Sequence, residues 1–153
     1  MPSWLNNAKD SNVLQMKAFR TVVVFDAADL DSESAFWASM LNGYVLKDSN
    51  WHSVIDEFGE WRLGIQLNPT HVKPEWPNGN QQQQIHLDIH VEDPYEAHQQ
   101  VMDLGATILY ESKTTDSDEG FRVYADPAGH PFCIGWGQPT SEQLTSFLNS
   151  RTK

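Results

Sequence analysis

The chain contains a single cysteine, Cys133, so no intramolecular disulfide can form. This fits a reducing compartment. Basic residues are scarce, with 10 Lys and Arg against 21 Asp and Glu and a formal net charge of −11. Nucleic acid and anionic membrane both demand a positive surface, so neither is expected as a partner. A cationic ligand is compatible with this balance, and solubility explains it equally well. No apolar run approaches the roughly 20 residues that span a bilayer. Met1-Pro2-Ser3-Trp4-Leu5-Asn6-Asn7 lacks the basic start and apolar stretch of a signal peptide. The expected location is cytoplasmic.

What remains suits one soluble domain. The 153 residues are enough to bury a sizeable core. A hydrophobic share of 39% with 20% charged residues excludes a disordered chain.

Residues 1–17 are polar with scattered apolar positions and read as an N-terminal arm. Ala18 to Phe25 reads as a strand, and Asp29 to Leu41 as a helix with Phe36, Trp37, Met40 and Leu41 on one stripe. Asn42-Gly43 ends it. Tyr44–Lys47, Trp51–Ile55 and Arg62–Leu67 read as three short strands. Residues 69–83 hold three prolines and a glutamine run and read as a linker, in which Trp76 is unexpected.

The first pattern then recurs. Gln84 to Val91 reads as a strand. Asp93 caps a helix with Pro94 at its first position and Glu96 three residues on. Ala106–Glu111, Phe121–Ala125 and Pro131–Trp136 read as strands, with a turn at Asp126-Pro127-Ala128-Gly129. Residues 138–153 read as a closing helix and tail, expected to bury Leu144, Phe147 and Leu148. Two βαβββ modules follow, 18–68 and 84–137, within one domain over 18–137. The expected class is α+β.

The most informative stretch is Ile85-His86-Leu87-Asp88-Ile89-His90-Val91. A strand alternates its faces with period two, so His86, Asp88 and His90 share one side and the apolar residues the other. That polar row can bind a metal, move a proton or hydrogen-bond a ligand. His86 and His90 stand about 13 Å apart and cannot share one ion, whereas Asp88 is within reach of His86. An Asp can orient a proton-transferring imidazole, and a structural hydrogen-bond pair is an equally plain reading. Cys133 is a ligand or nucleophile candidate, but free Cys is commonly a small buried hydrophobe. Arg122 and Tyr124 in the second module, and Arg62 and Gln66 in the first, alternate with apolar neighbours and are candidates to face a ligand. Trp51 and Trp76 are candidates to rim a small-molecule site, where aromatic walls are common. They would stack on a flat or cationic organic molecule.

These modules resemble those of the vicinal oxygen chelate superfamily, which includes glyoxalase I, bleomycin-resistance proteins and extradiol dioxygenases. The text that carries the resemblance is Val24-Phe25-Asp26-Ala27-Ala28-Asp29 with Ala35-Phe36-Trp37-Ala38 in the first half. In the second it is His86-Leu87-Asp88, Leu104-Gly105-Ala106-Thr107, Gly120-Phe121-Arg122-Val123 and Asp126 through Cys133. The closest likeness is to the glyoxalase-like domain branch. The resemblance implies a curled mixed sheet around a cleft, and a homodimer. It also implies one metal ligand on the first and last strand of each module. His86 matches one such position, and Cys133 occupies another. Gln66, Gly64 or Leu63 occupies the third, and Val22 or Thr21 the fourth. A set of His86, Cys133 and Gln66 is a poor match for a hard cation, while zinc would accept His86 and Cys133 with a third ligand such as Asp88. The cofactor expectation is therefore none or one divalent metal ion. Two functions follow. One is a metal-independent binder of a small organic molecule. The alternative is a metal-dependent lyase, isomerase or dioxygenase that uses His86, or His86, Asp88 and His90 as catalytic groups.

Overall fold

A computed structural model describes residues 18–112 and 118–150. The arm expected over 1–17 lies outside the described residues. The elements run β1 (Val23–Ala27), α1 (Leu30–Met40), β2 (Tyr44–Lys47), β3 (Trp51–Ile55) and β4 (Trp61–Leu67). They continue as β5 (Leu87–Val91), α2 (Pro94–Asp103), β6 (Thr107–Glu111), β7 (Gly120–Ala125), β8 (Pro131–Trp136) and α3 (Ser141–Ser150).

Local chemistry explains the boundaries. The side chain of Asp29 accepts from Ser32 N and caps α1, and that of Asp93 accepts from Tyr95 N and Glu96 N and caps α2. Pro94, which has no N–H to lose, opens α2. Asn42 adopts a positive φ of 49° to close α1, and Gly105 does the same after α2 with a φ of 94°. Thr140 and Gln143 form a reciprocal cap at α3: Thr140 N donates to Gln143 Oε1 and Gln143 N to Thr140 Oγ1.

The strands form two four-stranded mixed sheets, β1-β4-β3-β2 and β5-β8-β7-β6. In each, the first strand pairs in parallel with the last and the rest pair antiparallel. The repeat is thus as expected, but the single curled sheet around a cleft is not. The two sheets stay open and separate, because among the described residues no ladder joins a strand of one to a strand of the other.

The modules instead share side chains. Phe36 and Trp37 of α1 reach Phe132 of β8, with ring centroids 5.8 and 5.2 Å apart. Phe25, Val54, Leu63 and Ile65 of the first module join Val101, Tyr124 and Ile134 of the second in one buried cluster. The C-terminal helix departs from expectation. Leu144, Phe147 and Leu148 form a helical stripe, but each is about half exposed and α3 buries no residue. No helix among the described residues is long and apolar enough to cross a membrane.

Candidate functional site

The ladder around β8 decides which side chains meet. Asp88 of β5 lies opposite Cys133, and His90 opposite Gly135. On the other side of β8, Val123 of β7 lies opposite Cys133 and Phe121 opposite Gly135. Paired residues point to the same face of a sheet. Asp88, His90, Cys133 and Phe121 therefore share one face, and His86 just ahead of β5 continues it. Leu87, Ile89, Phe132, Ile134, Arg122 and Tyr124 share the other face, toward α2 and the core.

The first face forms an open cleft of about 330 Å³ lined by His86, Asp88, His90, Phe121, Cys133, Gly135 and Gln138. His86 Nε2 is 3.3 Å from Asp88 Oδ1. One ligand atom from each of His86, Asp88 and Cys133 lies within 4.8 Å of the others. Burial pushes the Cys133 thiol up to about 12, helped by a hydrogen bond to Asp88 and its negative charge. Such a thiol is neutral near pH 7 and a poor nucleophile. A cation bound here would reverse that balance, because metal coordination deprotonates a thiol.

The residues present fit a metal. Nitrogen, oxygen and sulfur donors converge from adjacent strands, and three protein ligands with an open position is the pattern of a reactive zinc site. The sulfur disfavours Mg²⁺ and Ca²⁺, which take oxygen. This set differs from the expected one in its third member. Gln66 sits on β4 of the other sheet, opposite Asp26 and Trp51, and does not line this cleft.

Further along the cleft, His90 Nδ1 is 3.1 Å from Gln138 Oε1. A carbonyl oxygen only accepts, so Nδ1 is the donor in this bond, and in the neutral ring Nε2 presents its lone pair. Gly135 makes room for the pair, since a Cβ there would stand 3.2 Å from His90 Nδ1 and 3.1 Å from Gln138 Oε1.

An aromatic strip continues from the wall. Phe121 stacks on Tyr110 at 5.6 Å, and Tyr110 meets Trp76 edge-on at 6.4 Å. Trp76, unexpected in a linker, thus stands at the far end of a row that begins in the cleft.

The other candidates lie elsewhere. Arg122 is buried beneath α2, with Nη1 donating to the Pro94 carbonyl and the guanidinium 5.6 Å from the Trp136 ring. Tyr124 is fully buried, its hydroxyl 2.8 Å from His98 Nδ1. Trp51 covers Gly64 and donates to Ser53 Oγ, and Arg62 pairs with Asp56 at 2.7 Å, both in the first module. None of the four lines the cleft of His86. Phe121, Tyr110 and Gln138 escaped sequence reading. The Asp126–Gly129 turn held the signal for Phe121: pairing Ala125 with Pro131 across it puts Phe121 opposite Gly135, on the face of Cys133, and Arg122 on the other face.

Comparisons extend these findings. No curated protein matches the chain in sequence. Among solved structures, the fosfomycin resistance protein FosX from Listeria monocytogenes superposes with a TM-score of 0.61 at 14% identity, covering 86% of this chain and 99% of that one. FosX from Mesorhizobium loti gives 0.57 at 12% identity, covering 88% and 99%. A glyoxalase/bleomycin resistance protein/dioxygenase family enzyme from Burkholderia phytofirmans PsJN gives 0.55 at 14% identity, covering 76% and 97%. These likenesses show a common fold. Residues 22–135 match the family model of a glyoxalase-like domain, and the chain belongs to that family and to the vicinal oxygen chelate superfamily.

Proposed function

We propose that this protein is a metal-dependent enzyme of the lyase, isomerase or dioxygenase type, acting on a small organic molecule in the cleft of His86. The observation that carries this reading is the convergence of His86, Asp88 and Cys133 donor atoms within 4.8 Å. These three residues would hold one divalent cation of the zinc class. Such an ion, when bound, supplies Lewis acidity to an oxygen of the substrate. The protein's own residues supply the rest. His90, oriented by Gln138, takes or returns a proton at Nε2. Phe121 and Tyr110 offer flat apolar surface to the substrate body, with Trp76 at the end of the row.

A single-site mutant of FosX from Listeria monocytogenes has been seen complexed with Mn(II) and with 1S,2S-dihydroxypropylphosphonic acid. That supports a cation and a small ligand on this fold. It does not support a phosphonate here. Among the described residues the cleft is lined by Asp88 and no Lys or Arg, so a dianion would enter without a cationic partner from that lining. A neutral or cationic ligand with an aromatic group fits better.

The expected homodimer remains our reading as well. Tyr44 and Leu46, exposed on β2, support a contact between copies, which light scattering after size exclusion measures.

Elemental analysis of protein purified without chelator or histidine tag tests the function. The reading expects about one equivalent of transition metal, lost in His86→Ala. Metal-free protein that still binds aromatic compounds would support the binder instead, since the aromatic strip needs no ion.

A further inference from the structure

Glu33 lies on the buried face of α1, fully enclosed and no part of the cleft's lining. Its Oε1 accepts from Trp37 Nε1 at 3.1 Å and its Oε2 from the backbone N–H of Ala128 at 2.9 Å. The same indole nitrogen is 3.0 Å from Asp126 Oδ2. Asp126 is also buried, and its Oδ1 accepts from His130 N at 2.7 Å. A helix residue of the first module and a turn residue of the second thus converge on one N–H.

One hydrogen cannot satisfy two carboxylates, and two buried negative charges side by side are strongly disfavoured. Among the described residues, no Lys or Arg forms an ion pair with either group. The arrangement closes when one carboxyl keeps its proton and shares it with the other. We propose that Glu33 and Asp126 share a single proton and form a pH-dependent latch between the two modules. The turn it holds leads directly into β8.

Burial, and then Asp126 as partner and charge, raise the Glu33 carboxyl from 4.5 to about 9. The unfolded chain releases this proton near 4.5, and the folded chain keeps it to about 9. The latch therefore contributes fully below 4.5, and its contribution is lost as pH rises through 9. Other titratable groups surround it. His130 stacks on Phe25 and bonds the Asp26 carbonyl through Nε2, and His71 bonds the Ala128 carbonyl. His52 bonds Ser34 on the same face of α1. An amide in place of Glu33 keeps all of these, so the difference from the parent isolates the pair.

Thermal unfolding of the full chain between pH 6.5 and pH 9.5 tests the latch. The parent's Tm is expected to fall by at least about 5 °C more than that of Glu33→Gln, whose amide hydrogen does not titrate. Asp126→Asn approaches from the other side, since its amide donates to an ionised Glu33, and it should flatten the profile likewise. A parent profile parallel to both variants overturns the proposal. Should neither variant fold, ¹³C titration of the parent's glutamate carboxyls decides. One resonance is expected to stay protonated above pH 7, and complete ionisation by pH 7 overturns the latch.

Discussion

At the scale of single residues, Cys133 shows how surroundings set chemistry. Burial and Asp88 hold its thiol protonated, so it contributes to reactivity through a cation or not at all. His86→Ala and Asp88→Ala are each expected to weaken zinc binding by more than about 100-fold, read by competition with a chromophoric chelator. His90→Gln should leave the metal content unchanged, because its partner is Gln138 and it is no member of the donor cluster. Phe121→Ala should weaken binding of an aromatic ligand by about 10-fold, read by tryptophan fluorescence. His86, Asp88 and His90 were legible in the sequence because strand alternation alone places them on one side. Arg122 and Tyr124 were misplaced because β7 is buried on both parities, with Arg122, Val123 and Tyr124 all enclosed. Polarity there does not distinguish cleft from core. Only the pairing across the turn does so.

At the scale of elements, turns and caps carry the organisation. Asp56, in the β3–β4 turn, accepts from Phe58 N and Glu60 N at 2.9 Å each and pairs with Arg62 at 2.7 Å. The hydrogen bond from Arg62, and then that from Glu60, hold its carboxyl below its usual 3.8. A depressed carboxylate stabilises the fold above that value, and the contribution is lost as pH falls through the folded pKa. Asp56→Asn is therefore expected to have a lower Tm at neutral pH and a shallower loss of stability under acid than the parent, read by circular dichroism. Asp93→Ala should cost about 1 kcal/mol in urea unfolding, since it strips the cap from α2. The cap of α2 was legible from Asp93 ahead of Pro94 and Glu96, whereas Asp29 reads as the first residue of its helix and stands just outside it as the cap. The exposure of α3 was not legible, because an amphipathic stripe states which face seeks cover and not whether a neighbour provides it.

At the scale of the whole molecule, the two modules are joined through side chains and not through a continuous sheet. Trp37 and Phe132 are both buried to within 1% exposure, one from each module. Phe132→Ala should cost about 3–5 kcal/mol and leave a single unfolding transition, because the core belongs to both halves. Two separate transitions would show independent modules. The repeat itself was legible from the matching helix starts at Asp29 and Asp93, 64 residues apart. The openness of the sheets was not, since hydrophobic pattern fixes which face is buried but does not decide whether two sheet edges meet.

The central claim is a cation held by His86, Asp88 and Cys133. Titration of the full chain with Co²⁺, followed by absorbance, tests it most directly because sulfur ligation has its own near-ultraviolet charge-transfer band. The account predicts saturation at about one equivalent, with that band lost in Cys133→Ser and the whole spectrum lost in His86→Ala. A titration that never saturates, or a spectrum indifferent to Cys133→Ser, would contradict it.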